Sequence, residues 1–156
     1  MTDPERADDD PSVGGGAPAL ILDRPDLDGL RLTQAGQPDV WLVFHGRRRR
    51  IVSTAVYDSL FGEVTRLVNT PDVEHITRGP DLDEGTCLIR ADGDLAIHLL
   101  TRTADGAVRR HFVPTYESLL DFGFDETRVR QIPSLLVEGL AAGADLVSAA
   151  DRAKLR

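Results

Sequence analysis

The sequence predicts an α+β domain made of two β-β-β-α-β repeats that pack as one pseudo-twofold unit. Three observations predict it. Short apolar runs alternate with turns rich in Gly, Asp and Pro, which is the punctuation of short strands. Each group of runs closes on a brief helical segment behind a Ser or Thr. The whole order also recurs. Residues 29–62 read GLRLTQAGQPDVWLVFHGRRRRIVSTAVYDSLFG and residues 85–123 read GTCLIRADGDLAIHLLTRTADGAVRRHFVPTYESLLDFG. Such recurrence is sought before single elements are assigned, because a missed repeat misassigns the fold. The best anchor sets Tyr57-Asp58-Ser59-Leu60 against Tyr116-Glu117-Ser118-Leu119. Upstream, Arg49, Arg50, Ile51 and Val52 fall beside Arg110, His111, Phe112 and Val113. Downstream, Gly79-Pro80-Asp81-Leu82 matches Gly143-Ala144-Asp145-Leu146.

The elements follow in order. Residues 30–33 and 40–45 read as strands joined through 36–39, and Gly46 permits a tight turn into a third strand over 48–53. Ser53 or Thr54 can cap a helix over 55–61 by accepting a free backbone N–H, and Gly62 supplies a left-handed stop. Residues 64–68 suit a helix or a half-buried connection. In the second copy Asp92-Gly93 between two apolar runs is a hairpin signal. A long strand over 95–103 turns at 104–107 into 108–113. Pro114 fits a first helical turn, where its missing N–H is no loss. That helix covers 115–121 and stops at Gly123. A short strand at 129–132, a helix over 133–142 with Leu135, Leu136 and Leu140 on one face, and a final helix over 148–155 complete the chain.

Length and charge set the organisation. The 156 residues make one ordinary domain. Residues 1–18 hold five acids against Arg6, have no apolar period, and predict a disordered acidic tail. Residues 19–156 form the domain: repeat 1 over 29–84, repeat 2 over 85–146, and the last helix. A repeat this short has little core of its own, so the two are expected to share one. The net charge of −8 argues against nucleic acid as a partner, since phosphate binding needs clustered positive charge. No apolar run is long enough for a membrane span, and the acidic N-terminus is unlike a targeting peptide, which predicts a cytoplasmic protein. The single Cys excludes a disulfide framework. Arginine outnumbers lysine, Lys154 being the only lysine, and with abundant Ala, Asp and Gly this points to a bacterial source.

No catalytic constellation or metal motif is written locally. His45, His75, His98 and His111 show no ligand spacing. Cys87 has no base beside it, and its apolar neighbours suit a core position. Asp92, Asp94, Asp81, Asp83 and Glu84 fit turn chemistry better than a cation loop. The arginines that run into helix starts carry more chemistry. Arg48, Arg49 and Arg50 lead into Thr54; Arg109, Arg110 and His111 lead into Thr115. A helix start offers free N–H groups and partial positive charge, and guanidinium forks suit carboxylate or phosphate. These eight residues are the candidate ligand-binding set. The plain alternative is arginine keeping a strand edge soluble.

The string VWLVFHGRRRRIVSTAVYDSLF, with Gly79-Pro80-Asp81-Leu82 and Glu84-Gly85-Thr86-Cys87-Leu88-Ile89-Arg90 after it, resembles a tandem β-rich repeat of bacterial envelope-associated or multidomain proteins. The resemblance covers about residues 29–146 and brings no catalytic residue with it.

The sequence therefore leads to a non-catalytic binding module, needing no cofactor or metal, that recognises a protein partner or an anionic ligand such as an acidic glycan or phosphate. Two alternatives stand beside it. One is a small hydrolase-type enzyme with a site between the repeats, using His98 or His45 with an acid such as Asp94. The other is an assembly protein that self-associates into a homo-oligomer through strand edges.

Overall fold

Two antiparallel meanders organise the chain, and each is followed by a helix and a strand that returns beside the meander's first strand. The computed structural model describes residues 20–154; the acidic tail at 1–18 and the last residue of the expected final helix lie outside them. The first sheet contains β1 (Arg31–Thr33), β2 (Trp41–Phe44), β3 (Arg47–Arg50) and β4 (Leu67–Asn69), ordered β3-β2-β1-β4. The second contains β5 (Cys87–Ala91), β6 (Ile97–Arg102), β7 (Val108–Val113), β8 (Arg130–Ile132) and β9 (Ala141–Ala142), ordered β9-β7-β6-β5-β8. Consecutive strands of each meander pair antiparallel. The returning strands β4 and β8 run parallel to β1 and β5. A parallel return needs a crossover, supplied by α1 (Thr54–Leu60) and α2 (Tyr116–Phe122). Two further helices, α3 (Ser134–Glu138) and α4 (Ala149–Lys154), complete a mixed α+β fold.

Local chemistry explains the joints. The β2–β3 turn has two central residues, His45 at φ 53° and Gly46 at φ 76°, so both occupy the left-handed region that a two-residue hairpin of matching twist requires. Ser53 caps α1 by accepting the Val56 N–H at 3.2 Å, and Thr115 caps α2 by accepting the Ser118 N–H at 3.0 Å. Gly123, at φ 79°, ends α2 in the left-handed conformation as expected. Gly62 does not do the same for α1. That helix ends on Phe61 in extended backbone, because Phe61 bridges to Phe124 and cannot do so while the helix continues. What Gly62 supplies is room, since a Cβ there would strike the Asp125 carboxylate. Pro114 precedes the cap instead of occupying the first turn.

Two backbone bonds after β3 have counterparts after β7. Gly79 and Leu82 donate to the carbonyls of Arg48 and Arg50, and Gly143 and Leu146 donate to those of Arg110 and Phe112, all at 2.8 Å. Arg48 therefore stands where Arg110 stands, one residue from the expected match of Arg49 with Arg110. A one-residue slip changes the face of the sheet, and the counterpart of Arg49 is His111. The tyrosine anchor is also displaced. Counting from the caps Ser53 and Thr115, Tyr57 corresponds to Leu119, not Tyr116. Tyr57 is 8% exposed and Tyr116 58%. The shared Tyr-x-Ser-Leu letters fall one helical turn out of step.

One apolar cluster joins both halves: Leu42, Phe44, Val56, Leu60 and Phe61 pack with Leu88, Leu99, Leu119, Phe122 and Leu146. Burying each such side chain contributes about 1.5–3 kcal/mol. The outer face of the first sheet carries a second cluster of Leu32, Trp41, Val43, Val73 and Ile76. On the second sheet Cys87 and Ile89 are covered by Val137 of α3. The expected helix over 133–142 is shorter than its apolar pattern implied. It stops at Glu138, and residues 141–142 pair with β7 as β9. Leu135 and Leu136 are exposed. Residues 64–68, open between helix and connection, lead into the edge strand β4.

Candidate functional site

The alternation of strand side chains divides the eight candidates among different surfaces. In β3, Arg50 lies opposite Trp41 and Arg48 opposite Val43, so both face outward from the first sheet, while Arg49 lies opposite Leu42 on the inner side. In β7, Arg110 faces outward and His111 inward. Thr54 is an exposed first helical residue, the capping being done by Ser53. Thr115 is committed as a cap and also donates its hydroxyl to Asp151.

The inward residues are held by the fold. The Arg49 guanidinium lies 3.8 Å from the Phe44 ring centroid, and burial, with Arg47 nearby, lowers its pKa to about 10. The His111 ring bridges two groups at 2.9 Å, the Ala144 carbonyl at Nδ1 and the Thr101 hydroxyl at Nε2. A carbonyl only accepts, so Nδ1 carries the proton and Nε2 accepts from Thr101. His45 reaches the Asp145 carbonyl at 2.9 Å, and its ring lies 5.5 Å from that of His111. Arg109 donates to the carbonyl of its neighbour Val108.

The outward arginines begin from the same bond. Arg48 Nε donates to the Ile76 carbonyl and Arg110 Nε to the Leu140 carbonyl, both at 2.9 Å. Their surroundings then differ. Arg48 lies 4.3 Å over the Trp41 ring, and Arg78, which bridges to it in parallel, lies 5.2 Å over the same ring. Burial and the Arg78 charge lower the Arg48 pKa. Asp81 pairs with Arg78 at 2.9 Å and Arg50 at 3.3 Å. This outer face is an indole platform with three guanidiniums, of which Arg78 and Arg50 share Asp81 and Arg50 also lies 3.9 Å from Asp39. Arg78 was missing from the sequence-based set. Its only signal was its place just before the Gly79-Pro80 match.

Arg110 instead lines a cavity of about 650 Å³ with His98, Asp94, Ser134, Glu138 and Asp145. Another hollow, of about 750 Å³, lies beside α4. There Asp28 is already bonded to Arg152 at 2.7 Å and to the Gly46 N–H at 2.8 Å. Neither Ser134 nor any other hydroxyl among the described residues hydrogen-bonds to His98. The Cys87 thiol is buried, which raises its pKa. Among the described residues no group of three or more His, Cys, Asp or Glu is placed to hold a metal ion, and no helix is long and apolar enough to cross a membrane.

Comparison with known protein families, with characterised proteins and with solved structures finds no match to this chain.

Proposed function

We propose that the chain is a non-catalytic binding module that recognises an acidic segment of a protein partner on the outer face of its first half. The observation that carries this reading is the pair Arg48 and Arg78, two like charges held over one indole. Asp81 already offsets the Arg78 charge, whereas among the described residues Arg48 is in no salt bridge, so an incoming carboxylate would complete the pairing of this face. Planar guanidiniums suit it because they grip carboxylates two bonds at a time.

Trp41 is the only tryptophan and lies beneath both arginines, so its emission reports on the face directly. Titration with a hexaglutamate peptide should change that emission saturably, and less so as salt rises. Arg78→Ala should weaken the midpoint about ten- to a hundredfold, the size expected when one charge-assisted bond of about 1.5–3 kcal/mol is lost. Emission unchanged up to millimolar peptide overturns the reading. Equal saturation by inorganic phosphate alone would move the ligand class from a protein segment to a free anion.

A further inference from the structure

We propose that the cavity on the outer face of the second sheet is a binding site for an organic cation, a protonated primary amine on an aliphatic stem. This goes beyond the anion-binding reading, which concerns the other half of the molecule. The cavity measures about 650 Å³ and lies between the β5–β6 turn, the end of α3 and the loop after β9.

Its charge is one-sided. Asp92, Asp94, Glu138 and Asp145 contribute four carboxylates to the lining, against Arg110 as the single cation. Among the described residues none of the four carboxylates is in a salt bridge, although Asp94 accepts the Ala96 N–H within its own turn. Arg110 is fastened by its Nε bond to the Leu140 carbonyl, and its charge offsets only part of theirs. A low-dielectric wall beside unpaired charge focuses the field and raises the local concentration of counter-charge.

A second, independent feature is His98. Its side chain lines the cavity, the residue is only 7% exposed, and its Nδ1 is buried with no hydrogen-bond partner. A buried polar atom left unpaired is costly, so a site that retains one has a use for it or is completed by something else. Burial foremost, and then Arg110, lower the His98 pKa against the opposing pull of Asp94 and Asp145. The ring is then neutral near pH 7 and does not repel a cation. Phe112 and Val137 supply apolar wall for a hydrocarbon stem, in the manner of a lysine that buries its methylenes and keeps its head with polar groups.

The same chemistry has two sources, a free aliphatic diamine or a lysine side chain of a protein partner. Nuclear magnetic resonance titration of the full chain, following the His98 ring and the amides of Ala96 and Gly143, separates them with 1,5-diaminopentane and tetralysine as probes. Saturable shifts with the diamine at lower concentration than with the peptide support a free amine. The reverse order supports a lysine-bearing partner. The double variant Glu138→Gln with Asp145→Asn should weaken either titration at least tenfold, and because both sites are exposed it should leave the fold intact. Arg78→Ala should leave it unchanged, which keeps this result separate from that of the anion-binding face. No saturable shift at His98 with either probe up to 10-fold excess over millimolar protein, on the order of the weakest useful affinities, overturns the proposal. Shifts that survive the double variant also overturn it.

Discussion

Arg48 and Arg110 make the same bond in two different fields. Each donates Nε at 2.9 Å to a carbonyl three residues before the glycine that pairs back onto its strand, Ile76 before Gly79 and Leu140 before Gly143. The bond fastens the returning segment to the sheet edge, which explains why both halves place arginine there. Around Arg48 lie Trp41 and Arg78, with Glu74 acting on its charge from farther off. Around Arg110 they are His98 and a ring of carboxylates. Among the described residues, the same fastener thus sits beside arginines partly offset by Asp81 in one half and beside unpaired carboxylates in the other.

The buried guanidinium of Arg31 supplies a stability test. It is 4% exposed, lies 4.6 Å from the Phe61 ring centroid, and donates to the Tyr57 hydroxyl at 2.6 Å and to the carbonyls of Glu63 and Thr65. The described residues give it no carboxylate. Tyr57→Phe keeps the ring and removes one acceptor from a buried charge. We expect a loss of about 1–3 kcal/mol in urea unfolding, the cost of leaving a buried donor unsatisfied. Unchanged stability would show that the hydroxyl is not needed to satisfy Arg31.

Two glycines with nearly the same backbone angle should behave differently. Gly123 and Gly36 have φ of 79° and 78°. A Cβ at Gly36 meets nothing within 4 Å, whereas at Gly123 it would lie 2.7 Å from Arg31 Nη2. Gly36→Ala should cost only the left-handed penalty of about 1–2 kcal/mol. Gly123→Ala carries that penalty and also displaces the buried guanidinium, so it should cost more. Thermal or urea unfolding of the two variants side by side reads the difference, and equal losses would refute the close contact.

Much of this fold is legible in the chain, for identifiable reasons. Apolar runs between Gly-bearing turns mark the meanders, and Ser53, Thr115 and Gly123 mark helix ends, because those signals act within a few residues. The Gly79–Leu82 and Gly143–Leu146 match carries over into equivalent backbone bonds. What fails is register. The shared Tyr-x-Ser-Leu letters mislead because Tyr57 answers to Arg31, a contact 26 residues away, while Tyr116 is exposed. The helix over 133–142 fails for a related reason: the leucine spacing is helical, yet β7 offers an open edge that β9 takes. The candidate site divides because neighbours on a strand point to opposite faces. Arg49 and His111 thereby enter the interior, and Arg78 enters the outer face from a segment with no periodic signal.

The single cysteine offers a check on the second sheet. Cys87 is buried beneath Val137, and burial raises its pKa. The thiolate is the reactive form. A disulfide reagent at neutral pH should therefore label the folded chain slowly and the urea-unfolded chain fully, one thiol per molecule. Fast labelling of the folded chain would mean that α3 does not cover this face. Val137→Ala should speed native labelling by opening that cover.

His111 should make stability depend on pH in a defined direction. Burial, foremost, lowers its pKa from the ordinary 6.5, opposed by the bond to Ala144, and His45 and the arginines at 49 and 109 push the same way as burial. The unfolded chain then binds a proton more readily than the folded one just below pH 6.5. Stability is complete above that value and falls as the pH drops through it toward the lower folded value. His98 is lowered in the same direction and adds to the slope. The lowered carboxylates, such as Asp81 between its arginines, act only at more acidic pH. Urea midpoints measured from pH 8 to pH 5 should decline chiefly below about 6.5. His111→Gln keeps a polar side chain beside Thr101 and Ala144 but cannot take up the proton. It should lower stability at pH 8 and flatten the decline between pH 6.5 and 5. A decline of the same steepness in the variant would assign the pH dependence to other groups.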